Sequence, residues 1–134
     1  MVAYDGIMEL GWDTHASNQI QSQHFDGLFG GLSGILSAVE NATDANGAPL
    51  ADSLTVVVLS EMGRYPQFNT RGGREHWTYT SGLLIGSGVR GGQVIGGYDN
   101  YAAGQPTNLD TGQVDDSGEY LVTGHIGALS LIHI

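Results

Sequence analysis

The stretch LTVVVLSE, residues 54–61, decides the fold, because it is a continuous β-branched and aliphatic run. Such a run predicts a central strand that is buried on both faces by helices. Two further apolar runs, SGLLIGSGV at 81–89 and GQVIGG at 92–97, predict later strands. Residues 2–10 are compatible with a short first strand.

A helix is predicted between the first and second strands. Its apolar residues follow the i, i+3, i+4, i+7 spacing of one helix face: Phe25, Leu28, Phe29, Leu32, Ile35, Leu36 and Val39. Glycines interrupt this stretch, so we expect close packing of the helix on a sheet to compensate for them. The order of elements predicts an α/β fold, with a mixed or parallel sheet flanked by helices and a site at the carboxyl ends of the strands.

Composition limits the classes of function. The 134 residues suit about one domain, and the formal net charge of -10 argues against binding to a nucleic acid backbone. No apolar run is long enough for a membrane span, and the N-terminus does not resemble a signal peptide. The only four basic residues fall in one central segment, which makes it a candidate anion site unless the clustering is chance: Arg64, Arg71, Arg74 and Arg90.

The motif GWDTH, residues 11–15, follows the predicted first strand. Asp13 and His15 offer an oxygen and an imidazole nitrogen, a set that suits zinc and, with more oxygens, manganese or calcium. Two ligands do not make a site, and a motif of this kind is more often a helix N-terminus in which Asp13 or Thr14 caps backbone N–H groups.

A second candidate segment is SEMGRYPQFNTRGGREHW, residues 60–77. Glu61 ends the predicted buried strand, where an acid is expected to be paired or bound to a metal. The alternative is an ion pair between Glu61 and Arg64 in a solvated loop. Arginines and Asn69 in a glycine-rich loop suit a phosphate or sulfate group, and His76 offers a further metal ligand.

In this order, GWDTH, LSEMGR, NTRGGREHW and LLIGSGVRGGQVIGG resemble a sulfatase-like family of bacterial proteins, the domain-of-unknown-function 1501 family, placed in the alkaline phosphatase superfamily. The resemblance runs from about Gly11 to Ala128 and implies part of an alkaline-phosphatase-like sheet. It implies metal ligation by Asp13, His15 and His76. Where the superfamily has an Asp-His pair for a second metal, this chain has Glu61 and Met62, which puts a two-metal mechanism in doubt.

The resemblance implies a metal-dependent hydrolase of small phosphate or sulfate esters, with zinc, calcium or manganese as the cofactor. The ligands are then Asp13, His15, Glu61 and His76, and the anion-binding residues are Arg64, Arg74, Asn69 and Arg71. The superfamily nucleophile matches nothing here, so we expect residues 1–128 to be the C-terminal part of one domain. A twin-arginine signal and a periplasmic or extracellular location are implied for the parent protein. The alternatives are an exported binding protein with a degenerate site, or an inert fragment.

The last six residues, LSLIHI, need a separate interpretation. One reading frame of a common transposon adapter used in DNA library preparation encodes them, so we expect residues 129–134 to be read-through. A natural apolar end is the alternative.

Overall fold

A computed structural model describes residue 4 and residues 11–126. The segment 129–134 and, apart from Tyr4, the predicted strand at 2–10 lie outside the described residues. Contacts within the chain group it into two compact units, residues 1–50 with 62–78 and residues 51–61 with 79–134. The single domain over residues 1–128 stays a prediction.

The first unit is built on one long helix, α1, Gln21–Glu40. A single turn of 3-10 helix, Asn18–Ile20, leads into it, and Ser17 before that turn has a left-handed backbone with φ of 61°. After the helix ends, the Asn41 side chain donates a hydrogen bond to the Ser37 carbonyl over 2.7 Å. The helix predicted from the apolar spacing is confirmed.

The burial of α1 differs from the prediction. Its buried residues are His24 and Leu32, whereas Phe25 and Phe29 are 45% and 52% exposed. Close packing does not explain three of its glycines, because a Cβ at Gly30, Gly31 or Gly34 would meet no described atom within 4 Å. The expectation of close packing at these glycines is therefore wrong for the described residues.

A short antiparallel ribbon completes the first unit. Strand β2, Gly63–Arg64, pairs with β3, His76–Trp77, so that Arg64 stands opposite His76. The loop 65–75 closes the ribbon, and the Tyr65 amide extends it by donating to the Glu75 carbonyl over 2.9 Å. This ribbon brings the two ends of the predicted anion-binding segment together.

The second unit contains the other ribbon. Strand β1, Thr55–Val58, pairs antiparallel with β4, Leu83–Gly86, in a register that runs from Thr55 opposite Gly86 to Val58 opposite Leu83. Gly86 has φ of 123°, and a Cβ there would lie 2.3 Å from the Leu54 carbonyl oxygen, so the turn after β4 requires glycine.

The strand predictions are confirmed only in part. Residues 54–61 do contain a strand, but Val57 is 45% exposed, so burial on both faces is wrong. β-branched residues favour extended backbone even where their side chains are half-exposed, so the run forms a strand without full burial. Within the described ranges both strand pairs are antiparallel, and residues 92–97 form no strand.

The fold is therefore α/β only in the general sense of one helix and two small antiparallel sheets. A turn of 3-10 helix, Leu50–Asp52, precedes β1. Most of the remaining described residues of the second unit lie in turns and loops, where the fully buried Thr107 forms isolated β-bridges with both Val114 and Glu119. No helix in the described part of the chain is long and apolar enough to span a bilayer.

Candidate metal centre

The GWDTH motif is held in place through its fourth residue, Thr14. The Thr14 side chain is fully buried and accepts a hydrogen bond from Gln21 Nε2 over 2.7 Å. The Thr14 carbonyl accepts from the Arg74 amide over 3.0 Å. Of the residues on either side of it, Asp13 has an exposed side chain and His15 a half-buried one, and neither the turn before α1 nor α1 itself has a side-chain cap. The motif therefore does not cap this helix.

Three ligand groups converge next to this motif. Asp13, His15 and His76 each direct one ligand atom into a cluster in which all three atoms lie within 4.8 Å of one another. His15 Nε2 is 2.9 Å from His76 Nε2 and 3.3 Å from Asp13 Oδ1. The ribbon of β2 and β3 delivers His76, and the corner before α1 delivers the other two residues.

The donor set of the cluster suits a transition metal. Two ligands at zinc bond lengths of ~2.0–2.1 Å in tetrahedral geometry stand about 3.3–3.4 Å apart. The oxygen of Asp13 already has this separation from His15 Nε2, and the two imidazole nitrogens are slightly closer together. Two of the three separations are therefore close to those that a bound divalent cation would set, and the third is within 4.8 Å.

Arg64 fixes the carboxylate of the cluster. Its Nη2 donates to Asp13 Oδ1 over 2.8 Å and to the Trp12 carbonyl over 3.1 Å, while Nη1 donates to the Arg74 carbonyl over 3.2 Å. The hydrogen bond from Arg64 is the main cause that lowers the pKa of Asp13, and the charges of the two nearby histidines act in the same direction. Asp13 is therefore held as a carboxylate, the form that binds a metal.

A second carboxylate lies behind His15. Glu75 Oε2 is 2.9 Å from His15 Nδ1, the ring nitrogen that does not face the cluster. Asn69 Nδ2 donates to Glu75 Oε1 over 2.6 Å, and this bond is the largest cause of the lowered pKa of Glu75. Arg71 Nη2 lies 3.7 Å from the same oxygen.

Gly73 lets the loop 69–73 approach the cluster closely. A Cβ at this position would lie 2.2 Å from the His15 carbonyl carbon, so no other residue fits the observed backbone. The Asn69 side chain binds both sides of this contact, since it donates to the His15 carbonyl over 2.9 Å and accepts from the Gly73 amide over 3.0 Å.

The residues predicted to bind an anion have other contacts in the structure. Arg74 Nη1 donates to the Tyr65 and Pro66 carbonyls, and its guanidinium lies 4.5 Å from the centre of the Phe68 ring. Arg71, with 64% of its side chain exposed, has one weak ion pair with Glu75. The anion-binding assignments of Arg64, Arg71, Arg74 and Asn69 stay predictions.

Glu61 belongs to the second unit, three residues after β1, and its side chain is exposed. Its assignment as a ligand stays a prediction, and the carboxylate partner of Arg64 is Asp13. Sequence reasoning missed the contact between Glu75 and His15. The sequence feature that could have indicated this contact is the dipeptide Glu75-His76, in which an acid directly precedes a predicted metal ligand.

Comparison with known proteins identifies a family. A family model described as "Protein of unknown function (DUF1501)" matches residues 2–111. No curated protein and no solved structure matches the chain.

Proposed function

The chain belongs to the DUF1501 family, and we propose that it binds a divalent metal ion through Asp13, His15 and His76 as part of a hydrolase of phosphate or sulfate esters. The observation that carries the proposal is the convergence of one carboxylate oxygen and two imidazole nitrogens within 4.8 Å. The family match covers the four motifs that resemble sulfatase-like proteins. Membership of the alkaline phosphatase superfamily is part of the proposal.

The chemistry of the ligands favours zinc over manganese or calcium, which prefer oxygen ligands. Two of the three ligand atoms are imidazole nitrogens, whereas calcium takes six to eight oxygens. Three protein ligands leave a tetrahedral ion with one open position, which is the pattern of a catalytic zinc site and not of a closed structural one.

The ion, when bound, would polarise an ester oxygen and offset the negative charge that develops during hydrolysis. The chain's own residues hold that position. Arg64 keeps Asp13 ionised and in place, and the β2 and β3 ribbon sets the direction of His76. Arg71 is the exposed arginine beside the cluster and is the proposed contact for an anionic ester.

A second candidate is a metal-binding protein without catalysis. One observation favours it: Arg64 and Arg74 already donate to protein carbonyls, which leaves fewer N–H groups for a substrate anion. In this case the role of the metal ion would be structural: it would hold the loop 69–73, or a binding surface, in one conformation. The proposed periplasmic or extracellular location fits either function.

The experiment is a turnover assay with p-nitrophenyl phosphate and p-nitrophenyl sulfate on the zinc-loaded and manganese-loaded parent protein, because the superfamily nucleophile matches nothing in these 134 residues. Hydrolysis that is lost in His15→Ala and His76→Ala, and kept in His125→Ala, supports the hydrolase. His125 is a matched control, because its ring pairs with Glu119 in the second unit. Metal binding without turnover supports the second candidate, and metal content unchanged in both cluster variants overturns both.

A further inference from the structure

We propose that Glu75 is a positioning residue that fixes the tautomer of His15, so that the Nε2 lone pair of His15 faces Asp13 and His76. The inference rests on the proposed metal site and adds a residue that the ligand assignment does not contain. Its evidence is the pair of contacts that Glu75 makes, one with each carboxylate oxygen.

The first contact determines which nitrogen of His15 carries the proton. A carboxylate only accepts hydrogen bonds, and a neutral imidazole has one donor and one acceptor nitrogen. His15 has a carboxylate oxygen at each ring nitrogen, Glu75 Oε2 at 2.9 Å from Nδ1 and Asp13 Oδ1 at 3.3 Å from Nε2, so in the neutral ring the closer contact makes Nδ1–H the donor. Nε2 then keeps its lone pair and points at the two other members of the cluster, 2.9 Å and 3.3 Å away.

The second contact fixes Glu75 itself. Asn69 uses both of its N–H groups, one on the His15 carbonyl and one on Glu75 Oε1. Its carbonyl oxygen accepts from the amides of Arg71 and Gly73, both over 3.0 Å. These two backbone amides determine the orientation of the Asn69 side chain. An Asn69 N–H group therefore points at Glu75, and Glu75 Oε1 accepts that hydrogen bond.

Glu75→Gln tests this arrangement directly, because glutamine has the same shape as glutamate but carries one acceptor group and one donor group. Its oxygen can satisfy either Asn69 or His15, but not both. The fixed N–H group of Asn69 selects the oxygen and leaves the glutamine NH₂ facing His15 Nδ1. His15 Nδ1 must then accept, so the proton moves to Nε2 and blocks the ligand position.

The first experiment needs no metal. Long-range ¹H–¹⁵N spectra of the metal-free protein, recorded at a pH where imidazoles are neutral, report the tautomer of each histidine ring. We expect Nδ1–H for His15 in the wild type and Nε2–H in Glu75→Gln. Glu40→Gln, at the exposed end of α1, removes the same charge and keeps the wild-type tautomer. Nε2–H in the wild type would overturn the inference without any variant.

The second experiment titrates the same three proteins with Zn²⁺. We expect Glu75→Gln to bind zinc about 10–100-fold more weakly than the wild type, the usual effect of removing a carboxylate behind a histidine ligand. Glu40→Gln should match the wild type. Zinc affinity that falls in His15→Ala yet stays unchanged in Glu75→Gln would overturn the positioning role.

The two proposals fail in different ways. If zinc binding does not depend on His15 or His76, the proposed function fails, and the tautomer spectra still decide what Glu75 does to His15. If zinc binding depends on both histidines and the tautomer is the same in the wild type and Glu75→Gln, the inference fails and the proposed metal site stands.

Discussion

His15 and His76 are 61 positions apart in the chain, and their Nε2 atoms lie 2.9 Å from each other. The rings are tilted by 38°, with centroids 4.6 Å apart, so the contact is made edge on through the nitrogens. Asp13 Oδ1 lies 3.3 Å from the same His15 nitrogen. The two histidines meet because the loop 65–75 returns to the GWDTH motif, where the Arg74 amide donates to the Thr14 carbonyl.

Gly73→Ala should destabilise the protein by more than about 2 kcal/mol, because the new Cβ would collide with main-chain atoms that have no freedom to move aside. The atoms concerned are the His15 carbonyl carbon and oxygen and the Ala16 nitrogen, all within 2.4 Å of the Cβ position. Urea unfolding measures the change, and zinc affinity should fall with it. A wild-type midpoint for this variant would show that the loop does not approach His15 so closely.

Gly30→Ala is the opposite case on the same unit. The Cβ would meet nothing within 4 Å among the described residues, and the position is inside α1. Alanine should stabilise the protein by about 0.5–1 kcal/mol, because glycine loses more backbone entropy in a helix. The same urea experiment measures it, and a destabilised variant would mean that another surface packs against this position.

Arg64→Lys should cost about 1–3 kcal/mol in stability, since one ammonium group cannot replace bonds to the two main-chain carbonyls. The pKa of Asp13 should rise, because the hydrogen bond from Arg64 is the first cause of its lowering. Carbon NMR of the Asp13 carboxyl measures the pKa, and Arg90→Lys, exposed in the second unit, is the control. An unchanged Asp13 pKa would contradict the ion pair.

Asp44 should make folding of the loop 44–48 depend on pH. Its Oδ1 accepts from the amides of Ala48 and Asn46, and these bonds, the Ala48 amide first, lower its pKa below 3.8. A lowered folded-state pKa means that the contribution is fully present above the unfolded pKa of ~3.9 and is lost as the pH falls through the folded value. Asp44→Asn keeps the acceptor and should remove this dependence. An Asp44 pKa at or above 3.8 by NMR would contradict the prediction.

The secondary structure was predictable where local pattern determines it. The spacing from Phe25 to Val39 predicted α1, and the β-branched run predicted β1, because both signals depend on neighbouring residues. The antiparallel direction in which β1 pairs with β4 was not predictable from the sequence. A continuous apolar run suits a buried parallel strand and an exposed antiparallel one alike, and only the partner strand decides between them.

The site was predictable at the level of ligand types. Asp13, His15 and His76 were singled out by chemistry and by the family resemblance, and the structure brings all three together. The contacts of Arg64 and Glu75 were not predictable from spacing. They depend on how the β2 and β3 ribbon closes and on Gly73 allowing the loop to touch His15, which are long-range features.

The most direct test of the metal centre is X-ray absorption spectroscopy at the zinc edge on the zinc-loaded protein. The proposed site predicts oxygen and nitrogen neighbours at ~2.0–2.1 Å with the outer-shell scattering of two imidazole rings. His76→Ala should reduce that scattering to one ring, and His125→Ala should leave it unchanged. A wild-type spectrum without imidazole scattering, or one that His76→Ala does not change, would contradict the proposed centre.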